Sequence, residues 1–170
     1  PGGLSFEPKW DGFRALVSWD GSEVVIGSRG AKPLTRYFPE LVQAFATLLP
    51  EPCLLDGEIV VARPAKNGAA ANGTDDDTPA RLSWEALSQR IHPADSRVQQ
   101  LSHTDPAQFV AFDLLARGER DLTPEPFAER RAQLEAVLRG IRLAPGTPSP
   151  LHLTRTTTDP ALAAQWLAQF

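Results

Sequence analysis

Polar and apolar positions alternate at once in this chain. In "GFRALVSW", Phe13, Ala15, Val17 and Trp19 share one parity and Arg14 and Ser18 the other, the period-two signature of a half-buried strand. Asp20-Gly21 follows as a hairpin turn signal, and "SEVVIGSRG" continues as a second strand. The period then lengthens. In "LTRYFPELVQAFATLLP", Leu41, Phe45 and Leu48 recur at helical spacing, with Pro39 in the first turn and Pro50 as a stop. "CLLDGEIVV" reads as a short apolar strand pair broken at Asp56-Gly57, and Asp11-Gly12 as a further tight turn.

Residues 63–81 are poor in bulky apolar side chains and rich in Ala, Gly, Asn and Asp, which predicts a flexible surface insertion. Its run Asp75-Asp76-Asp77 reads as solvated loop rather than a metal site. Beyond it, "SWEALSQRI" predicts a helix with Trp84, Leu87 and Ile91 on one face. "FVAFDLLA" predicts a buried strand, and "PFAERRAQLEAVLRGI" a helix with Phe127, Leu134, Leu138 and Ile141 inward. A Pro-rich connector leads to a short strand, "LHLTRT". Asp159-Pro160 then opens a last helix with Leu162, Trp166 and Phe170 on one face. Short strands mixed with separate helices predict an α+β fold of mainly antiparallel sheets flanked by helices. Neither a P-loop nor a Gly-x-Gly-x-x-Gly stretch occurs.

Composition narrows the classes. The chain has 170 residues, enough for one domain with a real core. It has no run of eighteen apolar residues, so no membrane partner is expected. The lone cysteine, Cys53, cannot form an intrachain disulfide and suits a reducing, cytoplasmic setting. One cysteine and three scattered histidines make no structural zinc pattern, and His103 and His152 read as ordinary surface residues. A net charge of −4 argues against a strongly basic nucleic-acid surface over the chain as a whole. Any strong electrostatic grip on nucleic acid is therefore expected largely outside these residues.

Three stretches place charge where strands should pack: "EPKWDGFR", "LLDGEIVV" and "FVAFDLLA". A charged group beside apolar neighbours needs a partner or a purpose. Each alone fits a turn or a strand end. In this order, with "SRGAKPLTRYFPEL" between the first two, they resemble the motifs of the nucleotidyltransferase superfamily of ATP-dependent DNA ligases, RNA ligases and mRNA capping enzymes. "EPKWDGFR" looks like the Lys-x-Asp-Gly-x-Arg motif, and its wording is similar to bacterial ATP-dependent ligases of the end-joining type.

The resemblance implies an adenylation (nucleotidyltransferase) domain that uses ATP with Mg2+ or Mn2+. Lys9 would be the nucleophile, and AMP would pass from it to a DNA 5'-phosphate at a nick. A lysine with an ordinary pKa of ~10.4 has almost no free lone pair at neutral pH, so the site must favour the neutral amine. The same likeness gives Glu7 the adenine amino group, Phe112 the purine face, and Arg14 and Arg29 the ribose, the phosphates or the reacting nucleic-acid end. It gives Glu58 the ribose hydroxyls or a metal. Asp11 either stabilises the turn that aims Lys9 or acts more directly. Asp113 is expected to cap or bond backbone, and Trp10, Phe13, Trp19 and Trp84 to pack.

The family's glutamate-glycine and Lys-x-Lys stretches are not found after "FDLL". Residues 1–170 are thus expected to be a partial adenylation domain without the OB-fold domain. Partners implied are nicked duplex DNA, a repair polymerase or end-joining proteins, in a cytoplasmic, nucleoid-associated setting. The alternatives are an RNA ligase, a GTP-using capping enzyme, which Glu7 argues against, or a nucleotide-binding module without catalysis.

Overall fold

The computed structural model describes residues 3–62, 82–91, 93–144 and 146–169. The insertion at 63–81, with its Asp75-Asp76-Asp77 run, lies outside them, as does Phe170. The described strands are β1 (Phe13–Trp19), β2 (Val24–Ser28), β3 (Cys53–Val61), β4 (Ala107–Arg117), β5 (Arg120–Asp121) and β6 (Leu151–Leu153). The helices are α1 (Pro39–Leu48), α2 (Trp84–Ser88), α3 (Asp95–Thr104), α4 (Phe127–Arg139) and α5 (Pro160–Gln169). The strands form one sheet in the order β2-β1-β3-β4-β5, every neighbouring pair antiparallel, with β6 added parallel to β4. This is the mainly antiparallel α+β architecture that the alternating pattern predicts.

The hairpin between β1 and β2 forms as expected. Asp20 accepts hydrogen bonds from the backbone N–H groups of Ser22 and Glu23, and Gly21 takes φ +96°, which an L side chain resists.

"CLLDGEIVV" departs from expectation. It is one continuous strand, not a pair broken at Asp56-Gly57. Gly57 is needed there for space: a Cβ would stand 2.4 Å from the Phe109 ring and 2.5 Å from the Val110 carbonyl oxygen. Gly12 serves likewise. The chain only bends there, and a Cβ would lie 2.2 Å from the Ile59 carbonyl oxygen. Both Asp-Gly pairs mark close strand approach rather than turns.

Register sorts the side chains onto two faces, because cross-strand partners point the same way. Phe13, Ile59 and Phe109 line up across three strands, as do Ala15, Gly57 and Ala111. Apart from Phe13, which packs at its edge, this face is buried. α1 closes it, with Phe45 meeting Phe109 edge-to-face at 5.3 Å. The opposite face carries Arg14 opposite Glu58, and Leu16 opposite Asp56.

α3 packs against α1 and escaped the sequence pattern, because only Val98 and Leu101 are buried apolar residues in its ten. Near it, Arg90 is fully buried. It pairs with Glu40 at 2.8 Å and donates to the Tyr37 and Asp105 carbonyls, an interior ion pair with its lone pairs and protons largely used.

Trp84 is half-exposed rather than packed inside, touching Phe13 edge-on at 5.3 Å. His152, expected at the surface, is partly buried on β6. In α5, Leu162 and Leu167 are exposed. No helix of the described residues is long and apolar enough to cross a membrane.

Candidate nucleotide site

The segment carrying Lys9 is held at both ends. Phe6 exchanges two backbone hydrogen bonds with Thr157, and the Trp10 indole N–H donates to the Thr154 hydroxyl at 2.8 Å. Trp10 is thus only partly a packing residue, since its polar edge anchors the chain beyond β6. On the far side of Lys9, the Gly12 N–H donates to Glu58 Oε1 at 3.1 Å. Lys9 is exposed between these anchors.

Glu7 faces Arg131 of α4 at 3.5 Å. Burial raises the Glu7 carboxyl pKa, Arg131 opposes the rise, and the Asp113 charge adds to it. The last influence comes from β4, the strand that also carries Phe112. Burial likewise raises Glu58, against the lowering effects of the Gly12 N–H and Arg14. Asp11 and Asp56 add like charge at Glu58.

Arg14 makes a two-point pair with Asp56, Nε to Oδ1 at 3.1 Å and Nη2 to Oδ2 at 2.7 Å. Its guanidinium also lies over the Phe112 ring, 5.5 Å from the centroid. Arg29 sits on the turn after β2 and shares a shallow pocket with Arg14, Leu16 and Asp56. Arg14, Arg29, Glu58 and Phe112 therefore gather on one side of the sheet. Glu7 and Lys9 lie along the segment leading into it.

Two features were invisible in the sequence. The first is Asp56, which fixes Arg14. "Asp-Gly" reads as a turn, and only the register of β1 on β3 reveals the partner. The second is a bulge. Asp56 pairs with Asp113 and Gly57 with Ala111, which leaves Phe112 as the extra residue on β4. A bulge re-aims one side chain and reverses the parity after it. Asp113 does bond backbone, accepting from the Leu114 N–H at 2.9 Å, as expected. It also holds Arg130 by two hydrogen bonds, 2.8 and 2.7 Å.

Among the described residues no group of three His, Cys, Asp or Glu side chains is placed to hold a metal. Glu58, with Asp11 and Asp56 close enough to influence it, fits a hard cation only as one carboxylate whose other ligands come from phosphate and water.

A motif-bearing segment that leads into a sheet face carrying two arginines, a glutamate and an aromatic, with a second glutamate on the segment itself, suits a nucleoside triphosphate better than an apolar ligand. Comparison agrees. The model of the ATP dependent DNA ligase domain matches residues 1–170, and the chain belongs to that family. It is 49% identical over 170 residues to DNA ligase C2 of Mycolicibacterium smegmatis, and 46% identical to DNA ligase C of Mycobacterium tuberculosis. The chain is fully covered in both comparisons but spans only 42% and 43% of those curated relatives. Among solved structures, a mycobacterial DNA ligase D complexed with ATP and MES superposes with a TM-score of 0.61 at 25% identity. That match covers 96% of this chain and 44% of the other.

Proposed function

We propose that this chain supplies the lysine-adenylating part of an ATP-dependent DNA ligase. The observation that carries the proposal is the placement of Lys9 between two anchored neighbours, with Glu7 on one side and the Gly12–Glu58 contact on the other.

In this reading the neutral Lys9 amine attacks the α-phosphorus of ATP. A nitrogen–phosphorus bond forms, the bond to the bridging oxygen breaks, and pyrophosphate leaves with that electron pair. The amine proton passes to solvent. An oxygen of a DNA 5'-phosphate then attacks the AMP phosphorus, the nitrogen–phosphorus bond breaks and the Lys9 amine is regenerated with a proton from solvent. A 3'-hydroxyl next attacks the activated 5'-phosphate, the phosphodiester forms, AMP leaves, and the hydroxyl proton passes to solvent. Phe112 stacks on the base, a contact worth about 1–3 kcal/mol. Glu7 accepts from the 6-amino group. Arg14, preset by Asp56, and Arg29 bind ribose or phosphate oxygens. Glu58 takes the ribose hydroxyls or one position on Mg2+ or Mn2+. The cation would offset charge developing on the leaving group. Nicked duplex DNA is the substrate in this reading, and end-joining proteins are the partners. A Bacillus subtilis relative 31% identical over 151 residues is named a bifunctional non-homologous end joining protein.

The test is incubation of the complete protein with α-labelled ATP and magnesium. An acid-labile covalent label that disappears in Lys9→Ala is expected. Absence of the label, or its survival in Lys9→Ala, rejects the assignment, and preferential labelling by GTP moves the chain to the capping class.

A further inference from the structure

Arg131 lies in the second turn of α4, its side chain only 11% exposed. Its Nε donates to Glu135 at 2.9 Å, and its Nη2 to the Thr154 carbonyl at 2.7 Å. Its Nη1 is buried, makes no hydrogen bond, and faces Glu7 Oε1 at 3.5 Å. A buried N–H left without a close partner is uncommon and costs about 1–3 kcal/mol, so it calls for a use.

The frame around it is stiff. Thr154 is buried and all its polar groups are engaged. Its N–H donates to the Ala111 carbonyl at 2.9 Å, its hydroxyl accepts from Trp10, and its carbonyl accepts from Arg131. Arg131 is thereby tied to the residue before Phe112 and to the residue after Lys9.

We propose that Arg131 is a positioning residue for base selection, holding the Glu7 carboxylate at the base edge as a hydrogen-bond acceptor. The inference rests on the assignment of Glu7 to the 6-amino group. The groups that act on Glu7 give it a chemical consequence. Burial and the Asp113 charge both favour the protonated carboxyl, and Arg131 is the cation that opposes them. Glu135 partly engages that cation from the same helix, and Arg130 is engaged by Asp113. A carboxylate only accepts and so matches an amino group. A protonated carboxyl also donates and so matches a carbonyl oxygen at the same ring position. Arg131 thus favours a 6-aminopurine over a 6-oxopurine without touching the base.

The experiment is single-turnover labelling of the complete protein with ATP, with GTP and with purine riboside triphosphate, which lacks the 6-amino group. Glu7→Gln, Arg131→Met and Arg131→Lys are compared with wild type. Arg131→Met is expected to lower the preference for ATP over purine riboside triphosphate about tenfold, the loss of one charge-assisted hydrogen bond. GTP labelling should rise relative to ATP in the same variant. Arg131→Lys, which keeps the charge, should recover part of the preference. If Glu7→Gln collapses the preference and Arg131→Met does not, the inference fails alone. If Glu7→Gln leaves the preference intact, the assignment of Glu7 fails and takes the inference with it. An equal fall with all three nucleotides in both Arg131 variants also rejects it, since loss of folding gives that result.

Discussion

Arg14 and Asp56 lie diagonally across neighbouring strands and are joined by two hydrogen bonds, yet their surroundings differ sharply. The Arg14 side chain is 51% exposed and the Asp56 side chain 8%. The pair is therefore lopsided. Truncating Asp56 releases an arginine that water can solvate. Truncating Arg14 strands a buried carboxylate one strand away from Asp113.

Arg14→Ala should accordingly destabilise the fold more than Asp56→Ala. The half-exposed pair itself contributes about 1 kcal/mol or less, as for surface pairs, so Asp56→Ala should cost little. Arg14→Ala adds the penalty of an unpaired buried charge and should cost about 3 kcal/mol. Urea denaturation of the two variants checks the order, and equal losses would contradict it. Asp56→Ala should still lower Lys9 labelling about tenfold or more, because it frees Arg14 from its preset position.

Gly12 yields a sharper contrast. A Cβ at Gly12 meets the Ile59 backbone oxygen and the Glu58 side chain, whereas a Cβ at Gly27 meets nothing within 4 Å. Gly12→Ala must push the Lys9 segment off β3 and break the hydrogen bond to Glu58. It should cost about 1–3 kcal/mol, as overpacking does. Gly27→Ala should be neutral within about 0.5 kcal/mol. Paired thermal melts and ATP labelling test both, with Gly27→Ala expected to label like wild type.

These positions also show how far the sequence carries. Periodicity suffices for β1, β2 and α1, because each buries a regular stripe and ends on a turn residue or a proline. For α4 it finds the helix but not its buried face, which is Leu134 with Val137, while Phe127 and Leu138 are only partly buried and Ile141 lies past the helix end. Motif order suffices to gather Lys9, Glu7, Arg14, Arg29, Glu58 and Phe112 into one family pattern. It does not reach their supports. Asp56, Arg131 and Thr154 act through register and through contacts between distant segments, and no local pattern encodes those. The bulge at Phe112 is likewise a property of the β3–β4 pairing. Asp56-Gly57 misleads because glycine serves equally for a turn and for close approach. α3 is missed because its few apolar residues are enough only once α1 is beside it.

Cys53 makes a prediction away from the site. It is buried in β3, and burial, with a smaller contribution from Glu51, pushes its thiol up to about 11. The folded protein should resist a thiol reagent at pH 8 and react once unfolded, since the thiolate is the reactive form. The folded state also holds the proton more tightly than the unfolded one between about pH 9 and 11. Stability should therefore fall with rising pH across that window. Cys53→Ala should be less stable overall but should lack this component of the slope. Identical slopes in the two proteins would overturn the assignment.

Glu58 offers the complementary case of a carboxylate kept at a cost. Burial raises its pKa above the ordinary carboxyl value of 4.5, and the hydrogen bond from Gly12 and the Arg14 charge only partly compensate. A raised folded pKa means the native state binds the proton more tightly. The stability attached to Glu58 is then fully present below pH 4.5 and is lost as pH rises through the folded value. Glu58→Gln keeps an oxygen to accept the Gly12 N–H and removes the charge. Its stability relative to wild type should climb across that rise and level off above it, so the variant should melt at or slightly above the wild-type temperature at pH 7. Lys9 labelling should nevertheless fall, because an amide is a poorer ligand for a cation and a weaker acceptor for ribose hydroxyls. Melting curves at pH 4.5 and 7, set beside labelling rates, separate the two effects. A variant that is both less stable at pH 7 and normally labelled would show that Glu58 is a structural carboxylate.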